Sequence, residues 1–366
     1  MLDISYAVFL CQKWDALCAG FGISESEYAP ISSHIRALLD PWGDWSIGQI
    51  PRYQSFVSGD GFPAEISLSF ADGVPEFRIL FESLGNPATS LSCRQAGADL
   101  TERLADEFGV HLGSYDLVKG LFLPGDSDGG LIWHSLAWRP GSAPRYKVYL
   151  GTQVNGPEQA YDVVGKAMAR LGMSSAWSVA LDSMTSEQRS TQELDFFALD
   201  LSDEPTARAK VYLRHHGVTA VELDRFAGLA ALHRSSNAID AYRKVVGDQD
   251  RILTDHPLTC LAFRQGDEGV AEATTYLRLP GAADSDAVAC DTIASVADPN
   301  NFDVDRYRAA ITGLASGGSP GVQELVGLRT RHDELDATIY LRFDVYGPDA
   351  VAPETCSCAR RTTSDK

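Results

Sequence analysis

The chain repeats one strand pattern in which basic and tyrosine side chains share a face. Arg208, Lys210 and Tyr212 alternate with apolar residues, so an extended strand points all three to the same side. Residues 145–150 repeat the order of basic, basic and tyrosine positions. At intervals of 63, 64 and 64 residues, the tyrosine recurs as Tyr149, Tyr212, Tyr276 and Tyr340. Such a period predicts an architecture built from one recurring supersecondary unit.

Each unit contains a second strand upstream of the first, joined to it by a short turn rich in Gly, Pro, Asp or Ser. Such turns between period-two segments indicate antiparallel hairpins. The ten predicted strands are Glu65–Phe70, Phe77–Phe81, Leu131–Trp138, Arg145–Leu150, Leu194–Leu201, Ala207–Arg214, Leu258–Gln265, Ala273–Leu279, Val322–Arg329 and Asp336–Phe343. Apolar residues at helical spacing predict helices over 1–40, 96–108, 157–172, 219–233, 285–297 and 303–315.

Helices alternating with hairpins predict an α+β fold: an antiparallel sheet covered by helices on one face. Val148, Val211 and Leu213 would meet the helices, leaving the basic and tyrosine face on the other side. This face would meet bulk water on an open sheet, but ten strands can also close and remove their edges. We therefore expect a ten-stranded antiparallel β-barrel whose solvent-filled lumen is surrounded by helices. One domain would span 1–366, with a repeat core of about 50–346 and a flexible tail over 352–366.

Composition excludes several classes of partner. The formal net charge of −19 disfavours binding to nucleic acid or to an anionic membrane surface. The apolar run at 6–11 is too short for a signal peptide core or a membrane span. Seven scattered cysteines without a CxxC pair predict a reduced, cytoplasmic protein. The oligomeric state stays open.

The predicted lumen combines cations with tyrosine rings, and these two groups suit different parts of one ligand. Arginine and lysine neutralise phosphate groups, while aromatic faces stabilise a carbocation through their quadrupoles. An allylic diphosphate that ionises requires both at once. The sequence therefore indicates small-molecule chemistry on an allylic diphosphate.

At this point the chain resembles the dimethylallyltryptophan synthase-type aromatic prenyltransferases, which share the ABBA barrel. The segments that carry the resemblance, in order along the chain, are Phe62–Ser67, Phe77–Glu82, Lys147-Val-Tyr149, Arg208-Ala-Lys210-Val-Tyr212, Tyr276 and Tyr340. The resemblance covers roughly residues 50–346. It implies transfer of a dimethylallyl group from dimethylallyl diphosphate to the indole of tryptophan or of a tryptophan-derived compound.

The resemblance also implies roles for individual residues. Those expected to bind the diphosphate are Arg78, Lys147, Arg208, Lys210 and Arg331, with Arg329 as an alternative to the last. Those expected to shield the cation are Tyr149, Tyr212, Tyr276 and Tyr340. Glu65 would accept the indole N–H. His134 is either the base that removes the ring proton or a structural residue, and Trp133 belongs either to the core or to the acceptor pocket.

Two departures from the family pattern and two open alternatives accompany this interpretation; one departure is that Leu325 stands near a position where many members supply a tyrosine. Thr274 stands where the family often has Gln or Lys. A phenol or tyrosine could replace indole as acceptor, although Glu65 favours an N–H donor. The other alternative is not an enzyme: a barrel-shaped carrier that binds an anionic small molecule without turnover. Because no aspartate-rich DDxxD box is present and the cations can do the electrostatic work of magnesium, we expect no metal and no cofactor beyond the co-substrate.

Overall fold

The computed structural model describes residues 4–48, 53–71, 74–123, 130–247, 250–279, 285–297, 302–314, 322–331 and 334–346. The predicted tail over 352–366 lies outside these residues.

Ten strands form a closed antiparallel barrel in which each strand pairs with its neighbours in sequence and β1 pairs with β10. Their bounds are β1 Ala64–Ala71, β2 Val74–Glu82, β3 Ile132–Trp138, β4 Arg145–Gly151, β5 Gln192–Asp200, β6 Arg208–His215, β7 Leu258–Arg264, β8 Glu272–Arg278, β9 Val322–Arg331 and β10 Glu334–Arg342. The prediction of a closed ten-stranded barrel is confirmed. Alternating sequence predicted these strands well because one face of every strand is apolar.

The described helices surround the barrel. Their bounds are α1 Tyr6–Gly20, α2 Glu25–Leu38, α3 Ser90–Phe108, α4 Gly113–Phe122, α5 Ala160–Arg170, α6 Ser174–Asp182, α7 Ser186–Ser190, α8 Ala220–Ala227, α9 Ser235–Val246, α10 Asp286–Val296 and α11 Val304–Leu314. Sequence periodicity missed α4, α6, α7 and α9. It also extended α8 too far, because the chain leaves the helix at Gly228.

Apolar side chains are divided between two separate clusters. The larger cluster joins the outward strand residues, such as Val148, Val211 and Leu213, to the inner faces of the helices. The smaller one lies inside the barrel and contains Tyr212 and Tyr276. The strands therefore present their two faces to two environments, as the alternation predicts.

Among the described helices, none is both long enough and apolar enough to cross a membrane.

Candidate active site

The second strands of the five hairpins line the lumen with three successive layers of side chains. The layer nearest the hairpin turns, called the charged layer, contains Glu76, Arg145, Arg208, Glu272 and Asp336. Two residues further along each strand, the lysine layer contains Arg78, Lys147, Lys210, Thr274 and Thr338. Two residues beyond, the tyrosine layer contains Leu80, Tyr149, Tyr212, Tyr276 and Tyr340. The 64-residue repeat thus becomes a stack of rings along one axis.

The four tyrosines form a continuous arc. Ring centroids are 5.9 Å apart between Tyr149 and Tyr212, 6.0 Å between Tyr212 and Tyr276, and 5.8 Å between Tyr276 and Tyr340. Burial raises the pKa of Tyr212 and of Tyr276 well above 10, so both phenols stay protonated. The arc can stabilise a cation through its ring faces without offering it a phenolate.

Two ammonium groups lie next to this arc. Lys147 Nζ is 3.6 Å from Asp200 Oδ1, whereas Lys210 makes no hydrogen bond or ion pair with the residues that the structure describes. Burial lowers the pKa of Lys147 well below 10.5, and the charge of Lys210 lowers it further. The pKa of Lys210 is lowered first by burial and then by Arg208. A bound anion would offset both causes, so this layer is suited to an anionic ligand.

A chain of ion pairs runs around the lumen at the level of the charged layer. It passes in order through Lys147, Asp200, Arg208, Glu272, Arg329, Asp336 and Arg331. Its nitrogen-to-oxygen distances lie between 2.6 Å and 3.6 Å. Both Arg329 and Arg331 bind Asp336, so the structure leaves both as candidates for the late arginine.

A second group of charges surrounds Glu76 on β2. Glu76 pairs with Arg78 and Arg145 and lies 3.4 Å from Arg139. Burial alone would raise the pKa of Glu76, but Arg78 and Arg145 lower it to about 2. The carboxylate therefore stays ionised and holds Arg78 beside the two lysines.

Glu65 lies on β1, towards the end of the lumen opposite the hairpin turns. It pairs with Leu80 of the tyrosine layer and makes no hydrogen bond within the described part of the chain. Burial raises its pKa to about 8, against the opposing charge of Arg278, and Glu324 raises it further. The carboxyl group is thus available to a ligand that donates an N–H.

Trp133 also belongs to the lumen. It pairs with Tyr149 across β3 and β4, and its ring centroid is 4.4 Å from that of Phe196. Its indole N–H is buried and has no partner among the described residues. Of the two alternatives for Trp133, its position favours a wall of the acceptor pocket.

His134 requires a correction to the sequence analysis. It pairs with Val148, an outward residue, and its Nε2 lies 2.8 Å from Thr101 Oγ1 on α3. Burial lowers its pKa to about 3, so the ring is neutral. Because adjacent strand residues face opposite sides, His134 lies outside the lumen and cannot be the base for a luminal reaction.

Apart from His134, every predicted site residue lies on the luminal face of its strand. The carboxylates that pair with the arginines, above all Glu272 and Asp336, were not among the predicted site residues. The repeat itself indicates where these acids lie. Four residues before each tyrosine the chain has, in order, Arg145, Arg208, Glu272 and Asp336. Searching that position for charge of either sign would have found both acids.

Comparisons with known proteins identify a matching family and solved structures with the same fold. The family model for tryptophan dimethylallyltransferase matches residues 31–229. The 6-dimethylallyltryptophan synthase from Micromonospora olivasterospora, solved in complex with DMASPP and Trp, is 27% identical with a TM-score of 0.85. The match covers 94% of this chain and 99% of that one.

Two further structures extend the likeness. The 5-dimethylallyltryptophan synthase from Streptomyces coelicolor is 26% identical, with a TM-score of 0.84 over 94% of this chain and 99% of that one. AnaPT from Neosartorya fischeri shares the fold, with 16% identity and a TM-score of 0.71 over 91% of each chain.

Proposed function

Because the chain belongs to the tryptophan dimethylallyltransferase family of prenyltransferases, we propose that it transfers a dimethylallyl group from dimethylallyl diphosphate to the indole ring of tryptophan. The observation that carries the proposal is the order of groups along the lumen. Cations, a tyrosine arc and a free carboxyl group follow one another in the order that a diphosphate, an allyl cation and an indole require.

Ionisation of the donor is the first step. The C–O bond breaks, its electron pair leaves with the diphosphate, and an allyl cation remains. Arg78, Lys147 and Lys210 stabilise the charge that develops on the leaving oxygen, with Arg208 and Arg331 behind them. These five residues are the proposed diphosphate site.

The allyl cation must survive until the ring attacks it. Tyr149, Tyr212, Tyr276 and Tyr340 shield it from water with neutral ring faces. A phenolate at this position would trap the cation as an ether, and the raised pKa values prevent this.

The indole then forms the new C–C bond. As a carboxylate, Glu65 accepts the indole N–H, which orients the ring and increases its electron density. The attacked ring carbon loses a proton to restore aromaticity. Since His134 lies outside the lumen, that proton goes to a different acceptor.

We also propose that turnover needs neither metal nor cofactor. Three luminal acids near the lysines are already bound to basic side chains: Arg208 binds Asp200 and Glu272, and Arg329 binds Asp336. The same cations are placed to balance a diphosphate, which is the electrostatic role that magnesium plays in other allylic diphosphate enzymes.

A cytoplasmic location is proposed from the cysteines. Those at positions 11, 18, 93, 260 and 290 are all buried free thiols. Buried thiols without disulfides are typical of a reducing compartment.

The test is an assay of purified protein with dimethylallyl diphosphate in EDTA, read by mass spectrometry. The acceptor panel contains tryptophan, tryptophan-derived indoles, tyrosine and simple phenols. We expect an added C5H8 mass on tryptophan. Products on phenols alone would contradict the role of Glu65, and activity only with magnesium would contradict metal-independence. Tight diphosphate binding without any product would favour the non-catalytic barrel.

A further inference from the structure

Glu272 binds arginines from three different strands. It is the first residue of β8, and its Oε2 accepts hydrogen bonds from Arg208 Nη1 at 2.9 Å and from Arg329 Nη1 at 2.6 Å. Arg264 of β7 donates to the other carboxylate oxygen. One carboxylate therefore joins β6, β7 and β9 at the level of the charged layer.

This carboxylate is ionised at any working pH. Burial alone would raise the pKa of Glu272, but Arg329 and Arg208 are the main groups that lower it to about 2. Buried ion pairs of this kind contribute little net stability, since the cost of desolvating the charges offsets their attraction. Stability alone does not account for a carboxylate that is shared by three arginines.

The hydrogen bonds of Arg208 show what Glu272 does locally. Arg208 Nε donates to Asp200 at 2.8 Å, and Nη1 donates to Glu272. Because a guanidinium is planar with five N–H donors, fixing Nε and Nη1 fixes the plane of the whole group. Its Nη2 donors have no partner among the described residues and stay available to a ligand.

Arg208 also lies beside Lys210, which makes no hydrogen bond or ion pair with the described residues. Lys210 follows Arg208 by two residues on the same face of β6, and Arg208 is the charged group that most lowers the pKa of Lys210. An anion that binds Lys210 therefore meets Arg208 in a fixed orientation. Glu272 and Asp200 set that orientation from opposite sides.

We propose that Glu272 is a positioning residue that keeps Arg208 oriented towards the departing diphosphate, an inference that rests on the proposed function. Donors that are already oriented stabilise developing charge without reorganising during the reaction. A mobile arginine would still attract the bound diphosphate, but it would have to reorient as the C–O bond breaks. Loss of this orientation should therefore lower kcat rather than weaken binding of the donor.

The decisive variant is Glu272→Gln, which keeps the shape of the side chain and removes its charge. With dimethylallyl diphosphate and tryptophan, we expect kcat to fall by about tenfold or more. KM for the donor should stay the same or decrease, because the lumen loses a negative charge. Calorimetry with inorganic diphosphate should show unchanged or tighter binding.

Glu268→Gln is the matched control. Glu268 lies in the turn between the same two strands, is exposed, and makes no ion pair within the described ranges. This variant should keep the wild-type kcat and KM. Glu272→Asp is the second variant: it retains the charge but shortens the side chain by one methylene, so it should also lower kcat if orientation matters.

Three results would overturn the inference. These are a folded Glu272→Gln protein with kcat within about twofold of wild type, a higher donor KM with unchanged kcat, or, if the Gln variant does not fold, wild-type kcat in Glu272→Asp. A wild-type protein that turns over no acceptor would overturn the proposed function itself. Wild-type turnover with equal variant rates would overturn only the role of Glu272.

Discussion

Lys210 and Glu65 are luminal ionisable groups that make no ion pair within the described part of the chain, and burial disfavours the charged form of each. Lys210 has no ion-pair partner in the described structure, and burial favours its neutral form. Glu65 has a pKa of about 8 and a carboxyl group open to the lumen. The proposed function gives each a partner from a substrate, Lys210 from the donor and Glu65 from the acceptor.

Lys210→Met should cripple turnover while leaving the fold intact. The variant removes a donor that stabilises the leaving diphosphate, and losing one such donor costs on the order of 10²–10³ in kcat. The buried methionine replaces an unpartnered ammonium, so the melting temperature should not fall. Steady-state kinetics and thermal denaturation measure the two effects.

Lys166→Met is the control for this variant. Lys166 is an exposed lysine on α5, paired with Asp162 at 2.6 Å. Equal rates for the wild type and Lys210→Met would refute a diphosphate role for Lys210.

Activity should depend on pH through Glu65. Because its pKa is raised to about 8, the carboxylate that accepts the indole N–H is the minor form below that pH. The value of kcat/KM for tryptophan should therefore rise with pH and level off above about 8, since this ratio reports groups of the free enzyme.

Glu65→Gln tests the assignment of that pH dependence. The amide oxygen can still accept the N–H, but it does not titrate, so the rise near pH 8 should vanish and the rate should fall. An unchanged pH profile in this variant would assign the titration to another group.

Single residues also show the limit of reasoning from sequence alone. Lys147 and Tyr149 were predicted on the luminal face because they alternate with the apolar Val148. His134 was chosen for its chemistry rather than for its position in the alternation, and the structure places it against Thr101. The strand register, and not the residue type, determines that His134 faces the helices rather than the lumen.

At the scale of the element, the hairpin is the functional unit. On β2, β4 and β6 the lysine layer is cationic, whereas on β8 and β10 it holds threonine. Glu272 and Asp336 replace arginine in the charged layer of those same two strands. All five repeats therefore carry a tyrosine or leucine in the tyrosine layer, whereas the cations of the lysine layer lie in one half of the barrel.

A glycine on β9 allows Tyr276 to hold its place in the arc. A Cβ at Gly327 would lie 3.1 Å from Tyr276 Cε1 and 3.2 Å from its Cδ1, closer than ordinary contacts. Gly327→Ala should displace the ring and admit water to the cation. We expect a severalfold higher ratio of dimethylallyl alcohol to prenylated tryptophan, measured by chromatography.

Gly120→Ala serves as the comparison. Gly120 lies on α4, and a Cβ there would meet no atom within 4 Å. An unchanged product ratio in Gly327→Ala would show that Tyr276 does not exclude water at this point.

The elements differ in how well their sequences predict them. Most strands were predicted because an apolar outward face alternates with a luminal face that carries polar or aromatic side chains. Helix α9 escaped notice because it lies in a segment rich in polar residues, and α8 was drawn through Gly228, where the chain turns. Patterns of apolar residues identify elements with one buried and one exposed face. They do not locate the end of a helix such as α8, which depends on a single residue, Gly228.

At the scale of the whole molecule, closure separates two opposite electrostatic environments. The chain carries a net charge of −19, yet the lumen gathers Arg78, Lys147 and Lys210 in the lysine layer, with Arg208 in the adjacent charged layer. The repeat allowed both an open sheet and a barrel, and only the pairing of β1 with β10 distinguishes them. Because that pairing is between the two ends of the repeat, no local pattern could specify it.

Removing β10 should expose the chain to aggregation. A protein ending at residue 331 leaves the edges of β1 and β9 unpaired, and such edges recruit other chains. We expect it to lose soluble yield, measured by size-exclusion chromatography. A protein ending at residue 346 keeps β10 and should remain soluble and active, in line with the tail predicted over 352–366. A soluble, monomeric 331-residue chain would contradict the need for closure.

The seam between β1 and β10 also orders the events of synthesis. Thr338 Oγ1 donates to Ser69 Oγ across it, and these two residues are 269 positions apart. During translation, β1 can pair only with β2 until β10 has left the ribosome. Contacts of such long sequence separation form slowly. The edge of β1 therefore stays open until β10 is made, and we expect the yield in the cell to depend on how well that edge is protected in the interval.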